Sequence, residues 1–206
     1  MEIMNQIESL KKIAKNKLTN NDPAHDFEHV MRVYRNAERI CKTENGNKKL
    51  ILSAVLLHDI IKIKNQKDSA LKSARLSEKI LKQNYFSDNE IRIISDAIRD
   101  HSFSKCKIPS TIEGKILQDA DRLDAIGAIG LARVFSFSGS NNRPFYDPKD
   151  PFSKNRSVND KKWALDHFYE KLLTLEQKMN TKTGKLMAKK RTKILKDFLK
   201  EIKNEI

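Results

Sequence analysis

Residues 50–62 read Leu-Ile-Leu-Ser-Ala-Val-Leu-Leu-His-Asp-Ile-Ile-Lys, an apolar run that ends on a histidine and an aspartate side by side. Ile51, Ala54, Val55, His58 and Ile61 recur at the three-and-four spacing of one helical face. The stretch therefore predicts a helix from about Lys48 to Lys62 with His58 on its buried stripe. Burying a carboxylate beside an imidazole costs several kcal/mol unless something charged compensates it. A divalent cation would compensate both His58 and Asp59.

The surrounding sequence is helical in the same way. Apolar residues recur at helical spacing from about Glu2 to Lys17, and again up to about Lys42, where Val30, Val33, Ala37 and Ile40 form the stripe. Asn20-Asn21-Asp22-Pro23 is the expected start of that second helix, and Glu44-Asn45-Gly46-Asn47 the turn after it. Further helices are expected near Lys67 to Gln83 and Asp88 to His101, followed by a loop containing Pro109. A long apolar helix from Gly114 to about Phe137 comes next, with Gly127 and Gly130 letting a neighbour approach closely. Ser138 to Asn159, SGSNNRPFYDPKDPFSKNRSVN, is expected to be irregular, a binding segment or plain disorder. Two basic amphipathic helices, about Asp160 to Asn180 and Lys185 to Asn204, close the chain. Trp163, Leu165, Phe168, Leu172 and Leu175 mark the packed side of the first.

The fold class expected is all-α. With 206 residues the chain can form a single domain, 1–206, with its core at about 22–137, a loop at 138–159 and C-terminal helices at 160–204. Charged residues make up 33% and only 6 Gly and 5 Pro are present, which suits long helices with charged outer faces. No apolar run reaches the roughly 18 residues a membrane span needs, because His58-Asp59 and Arg133 interrupt the two best. The start, MEIMNQIESLKK, is charged too early for a secretory signal, so a cytoplasmic protein without a membrane partner is expected. Cys41 and Cys106 lie far apart without CxxC spacing, which argues against a zinc knuckle. A net charge of +14 fits an anionic ligand, nucleic acid, or a lysine-rich surface, and alone does not choose.

Two other segments carry metal-ligand residue types: HDFEHVMRV at 25–33 and LQDADRLDAIGAIG at 117–130. In the second, Leu117, Asp121 and Asp124 fall at i, i+4 and i+7 on one face, while Asp119 lies nearly opposite and should reach water. Either Asp121 or Asp124 therefore needs a buried partner. Two imidazoles and two carboxylates form a mixed nitrogen and oxygen set suited to Mn²⁺, Fe²⁺ or Zn²⁺ more than to Mg²⁺.

The ordered pattern H…HD…D, spelled by His29, His58-Asp59 and Asp121, resembles the HD-domain superfamily of metal-dependent phosphohydrolases. HDFEHVMRV, HSFS at 101–104, DADRLDAIGAIGLAR and RPFYDP look like a small bacterial and archaeal branch of it, over roughly Ala24 to Pro148. The resemblance implies an HD-type α-helical bundle. It also implies that His29, His58, Asp59 and Asp121 hold a divalent metal, since the family's downstream ligand sits in an A-D-x-L context, matched by Ala120-Asp121-Arg122-Leu123. One departure stands out. Where some nucleotidase branches carry a carboxylate three residues after the HD aspartate, this chain has Lys62, which suits phosphate binding.

The expected chemistry is hydrolysis of a phosphorylated small molecule, a nucleotide or a related ester. A metal with open positions acidifies water and clamps a phosphoryl oxygen. Asp59 can orient the water, and Arg32, one turn from His29, can meet phosphate oxygens together with Lys62. His101 follows Ile91, Ile94, Ala97 and Ile98 and is placed to protonate the leaving group or to bind a second metal; a helix-end histidine is the structural alternative. Asp124 could accept from a ligand histidine. His167 reads as packing or surface. Two competitors remain: an H-x-x-E-H zinc peptidase using His25, Glu28 and His29, and a basic helical nucleic-acid binder built on stretches such as KLMAKKRTK at 185–193.

Overall fold

Capping side chains set several of the helix starts in the computed structural model, which describes residues 2–18, 26–61, 68–102 and 107–206. Helix α1 spans Glu2–Lys17. Helix α2, Phe27–Ile40, begins where the Asp26 carboxylate accepts from the His29 N–H at 2.8 Å. Asn47 caps α3, Lys48–Leu57, in the same way. Helix α4 spans Ser69–Gln83. Ser87 and Glu90 form a reciprocal capping box at the start of α5, Asp88–Asp100. The chain continues through α6, Ile112–Asp124, α7, Gly127–Ser140, the short α8, Asp166–Glu170, and α9, Lys182–Glu205. The fold is all-α.

The chain divides into two compact units, Met1–Asp121 and Arg122–Ile206. In the first, α3 packs against α1, α2 and α5, and α4 pairs with α5. Its core holds Val30, Val33, Ile51, Val55, Leu56, Ile94, Ile98 and Leu117, all at 0% exposure. In the second, α7 packs against α9, and Phe135, Phe145, Phe168 and Phe198 form an aromatic cluster with neighbouring centroids 5.1–6.2 Å apart.

Four expectations are corrected. The helix read to Lys62 ends at Leu57, because Ile61 exchanges hydrogen bonds with Ser73 Oγ on α4 (3.1 and 3.2 Å) in place of the next intrahelical rung. The helix read from Gly114 to Phe137 is two helices, parted at Ala125-Ile126 and turned by Gly127 at φ +81°. The helix read over Asp160 to Asn180 is only α8 and a 3₁₀ turn at Leu172–Thr174. The amides of Ala164 and Leu165 are drawn to the carbonyls of Pro144 and Phe145 (3.0 and 2.8 Å), so the chain pairs with the preceding segment. Finally, Asp119 is fully buried, because Ile116, Leu117, Gln118, Ala120 and Leu123 are buried too and α6 has almost no wet side.

The stretch expected to be irregular begins three residues late, after Ser140, and follows a defined path. Asp166, fully buried, accepts from Arg156 Nη1 and Nη2 (2.6 and 2.8 Å), Ser153 Oγ (3.0 Å) and the Asn159 amide (2.6 Å). Asp22, Pro23, His25, Lys62, Phe103, Ser104 and Cys106 lie outside the described residues. No described helix is long and apolar enough to cross a membrane.

Candidate functional site

The first unit brings five of the singled-out side chains together from four segments. His29 comes from the first turn of α2, His58 and Asp59 from the end of α3, His101 from the end of α5, and Asp121 from α6. Nε2 of His29 stands 3.6 Å from Asp121 Oδ1 and 3.9 Å from Asp59 Oδ2. Nε2 of His58 stands 4.0 and 3.9 Å from the same two oxygens, and Nε2 of His101 stands 4.0 Å from Asp59 Oδ1. Two donor groupings within 4.8 Å result: His29 with His58 and Asp121, and His58 with Asp59 and His101. The rings of His29 and His101 flank that of His58 at centroid distances of 5.4 and 5.1 Å.

These separations are too long for hydrogen bonds. Donors that each lie about 2.1 Å from one cation are themselves about 3 to 4 Å apart, so the spacing suits a shared ion. Ring orientation points the same way. Nδ1 of His58 is 2.7 Å from the Val55 carbonyl and Nδ1 of His101 is 2.6 Å from that of Ile98. In the neutral rings that assigns the proton to Nδ1 and leaves the Nε2 lone pair facing the site. Nε2 of His58 is buried and makes no hydrogen bond among the described residues. An orphaned lone pair beside two carboxylates is what a cation would satisfy.

The electrostatics agree with that geometry. Burial, aided by the neighbouring imidazoles of His101 and His29 and opposed by Asp59 and Asp121, lowers the His58 pKa to about 4, so it is neutral at pH 7. Burial pushes the Asp121 carboxyl upward, but the imidazoles of His58, His29 and His101 outweigh it and hold it below the usual range. Asp59 is buried, whereas 29% of the Asp121 side chain reaches solvent, which makes Asp121 the wettest of the candidate ligands. That reverses the sequence expectation, in which Asp119 was to be the wet acid.

Several residues that hold this arrangement were not read from the sequence. Gln118 Nε2 donates to the carbonyls of Asp100, His101 and Lys107 (3.3, 3.2 and 2.9 Å), tying the chain around His101 to α6. Asn36 Nδ2 donates to the Ala120 carbonyl at 3.0 Å and joins α2 to α6 one residue before Asp121. Ser73 fixes the exit from His58-Asp59. A buried amide on an otherwise apolar stripe is the signal that could have found Asn36. Arg32 is half-buried on α2. Asp124 is engaged by Arg133 Nη1 at 2.6 Å, and His167 Nδ1 lies 2.9 Å from Asp160. Glu28, the base that a zinc-peptidase reading needs, is exposed.

An all-helical fold that gathers three imidazoles and two aspartates, two of the five contributed by a vicinal His-Asp, defines a buried histidine–aspartate centre. The chain belongs to the HD-domain superfamily, whose hydrolase members it resembles along its whole length. The HD domain family matches residues 26–126. YpgQ of Bacillus subtilis is 31% identical over 209 residues, covering 100% of this chain and 96% of the relative. A crystal structure of that protein in complex with ADP matches with a TM-score of 0.81 at 30% identity, covering 100% of this chain and 97% of the other. An HD-superfamily hydrolase from Bacillus thuringiensis matches with a TM-score of 0.79 at 32% identity, covering 98% and 97%.

Proposed function

We propose that this chain is a metal-dependent phosphohydrolase acting on a phosphate ester of the nucleotide type. The observation that carries the reading is the convergence of His29, His58, Asp59, His101 and Asp121, with five imidazole-nitrogen to carboxylate-oxygen distances of 3.6–4.0 Å. His29, His58, Asp59 and Asp121 would hold the cation, and their mixed donor set favours Mn²⁺, Fe²⁺ or Zn²⁺ over Mg²⁺. When bound, it supplies Lewis acidity, polarising a phosphoryl oxygen and acidifying water.

The protein's own groups account for the rest of the chemistry. The two oxygens of Asp59 lie 3.9 and 4.0 Å from Nε2 of His58 and of His101, and one of them can orient water toward phosphorus. The attacking oxygen forms the new P–O bond as the ester P–O bond breaks, and the leaving oxygen takes up a proton. His101, whose Nε2 faces the same cluster, would supply it from the imidazolium form, giving up the Nε2 proton while Nδ1–H stays on the Ile98 carbonyl. Arg32 and Lys62 are the cationic side chains assigned to the phosphate. The nucleotide class rests on the ADP bound by the Bacillus subtilis relative and on the +14 charge, which favours an anionic ligand.

The test is hydrolysis by the purified chain, loaded with Mn²⁺, of nucleoside mono-, di- and triphosphates and simple phosphate esters, with Asp59→Ala in parallel. Turnover of a nucleotide that falls on the order of 10³-fold or more in the variant supports the assignment. A panel that stays silent with Mn²⁺, Fe²⁺ and Zn²⁺ overturns it.

A further inference from the structure

The outer face of α9 carries a feature that the hydrolytic site does not use. Lys182, Lys185, Lys189, Lys193, Lys196, Lys200 and Lys203 follow one another at steps of three or four residues, and every one is exposed. At 100° per residue the seven fall within an arc of about 80°, in a row about 31 Å long. The stripe centred about 100° round the helix, Gly184, Ala188, Thr192 and Leu195, is buried within the second unit. The helix's acids, Asp197, Glu201 and Glu205, lie beside the row and not in it; Asp197 pairs with Lys193 at 2.6 Å.

We propose that this lysine row is a docking surface for the sugar-phosphate backbone of nucleic acid, bound without regard to sequence. Seven like charges in line need a polyanion of matching length, and single phosphates would engage only one or two of them. Seven of the helix's eight lysines share one narrow arc, with exposed Lys190 standing about 60° outside it, and that concentration suits contact along a backbone. A helix inserted in a groove would instead carry cations on both flanks and base-reading side chains between them. An anionic membrane is the other polyanion, but helices that lie on lipid sink a broad apolar face into it. The apolar face of α9 is already occupied, and of the large apolar side chains along the helix only Leu186, beside the row, and Ile194, about 100° from it, are exposed.

The full-length chain is titrated with a random-sequence 30-base-pair duplex and with a single strand of the same length, across a salt series. A parallel titration uses vesicles of one-third phosphatidylserine. The wild type should bind nucleic acid with a Kd of about 10⁻⁴ to 10⁻⁶ M, equally for unrelated sequences. Changing Lys189, Lys193, Lys196 and Lys200 together to Gln should weaken binding at least about 30-fold and flatten the log Kd against log salt slope by about 3 to 4. Changing Lys12, Lys15, Lys79 and Lys82, which are exposed on α1 and α4, removes the same charge and should cost less than about 3-fold. His58→Ala should bind as wild type, which separates this surface from the hydrolytic site. Absent binding, equal weakening by the two quadruple variants, loss with His58→Ala, or a preference for vesicles would each overturn the proposal.

Discussion

His58 shows how a residue that packs like a core side chain can remain chemically available. Its ring is 0% exposed, Nδ1 is bound to a backbone carbonyl, and burial keeps it neutral at pH 7, so Nε2 presents a lone pair without first losing a proton. Asp100 works in the opposite sense. Hydrogen bonding from Arg99, with Lys107 at 2.7 Å, lowers its carboxyl to about 2. A carboxylate with a depressed folded-state pKa contributes stability above its unfolded value near 3.8 and loses it as pH falls through 2. The shift corresponds to about 2 kcal/mol, and screening through the half-exposed Lys107 reduces the expectation to about 1 kcal/mol. Urea unfolding of Asp100→Asn should therefore show a loss of that size at pH 7 that closes as pH falls from 4 toward 2. A difference that stays constant with pH would show that the carboxylate's charge is not the cause.

At the level of helices, the turn between α6 and α7 depends on two glycines. Gly127 occupies φ +81°, and a Cβ there would stand 3.1 Å from Arg191 Cγ; a Cβ at Gly130 would fall on the Ala125 carbonyl. Gly130→Ala should cost about 2 to 3 kcal/mol. Gly139→Ala, in the same helix with nothing within 4 Å of the added carbon, should be neutral or stabilise by up to about 1 kcal/mol. Thermal unfolding of the two variants side by side checks the contrast, and equal effects would refute the steric argument. Helices were legible where the apolar period ran unopposed: α1 falls at Glu2–Lys17 as read, and Val30, Val33, Ala37 and Ile40 are all fully buried. They were misread where a tertiary partner captured backbone groups, as Ser73 does at Ile61 and Pro144 and Phe145 do at Ala164 and Leu165. The same contrast holds in the site. His29, His58, Asp59 and Asp121 announce themselves by residue type and spacing. Gln118 and Asn36 do not, because their work lies in reaching backbone carbonyls far away in sequence.

For the molecule as a whole, the proposed cation links chemistry to stability. A ligand present at 100 times its Kd that binds only the folded state adds about 2.7 kcal/mol. For a chain of this size that raises Tm by about 5 to 10 °C. Mn²⁺ should therefore shift thermal unfolding by that amount in the wild type and by little in Asp59→Ala, and an equal shift in both would place the ion elsewhere. The second unit reaches its order by a different route. Between residues 147 and 160 few side chains are apolar, yet the chain keeps one path because Arg156, Ser153 and the Asn159 amide all end on the buried carboxylate of Asp166. Burial pushes that carboxyl up, but the guanidinium and the two other donors prevail and hold it below its ordinary value. The segment is thus moored on ionised carboxylates, Asp166 buried and Asp147 and Asp150 nearer the surface, and acid strong enough to neutralise them would release it with little hydrophobic contact to hold its course.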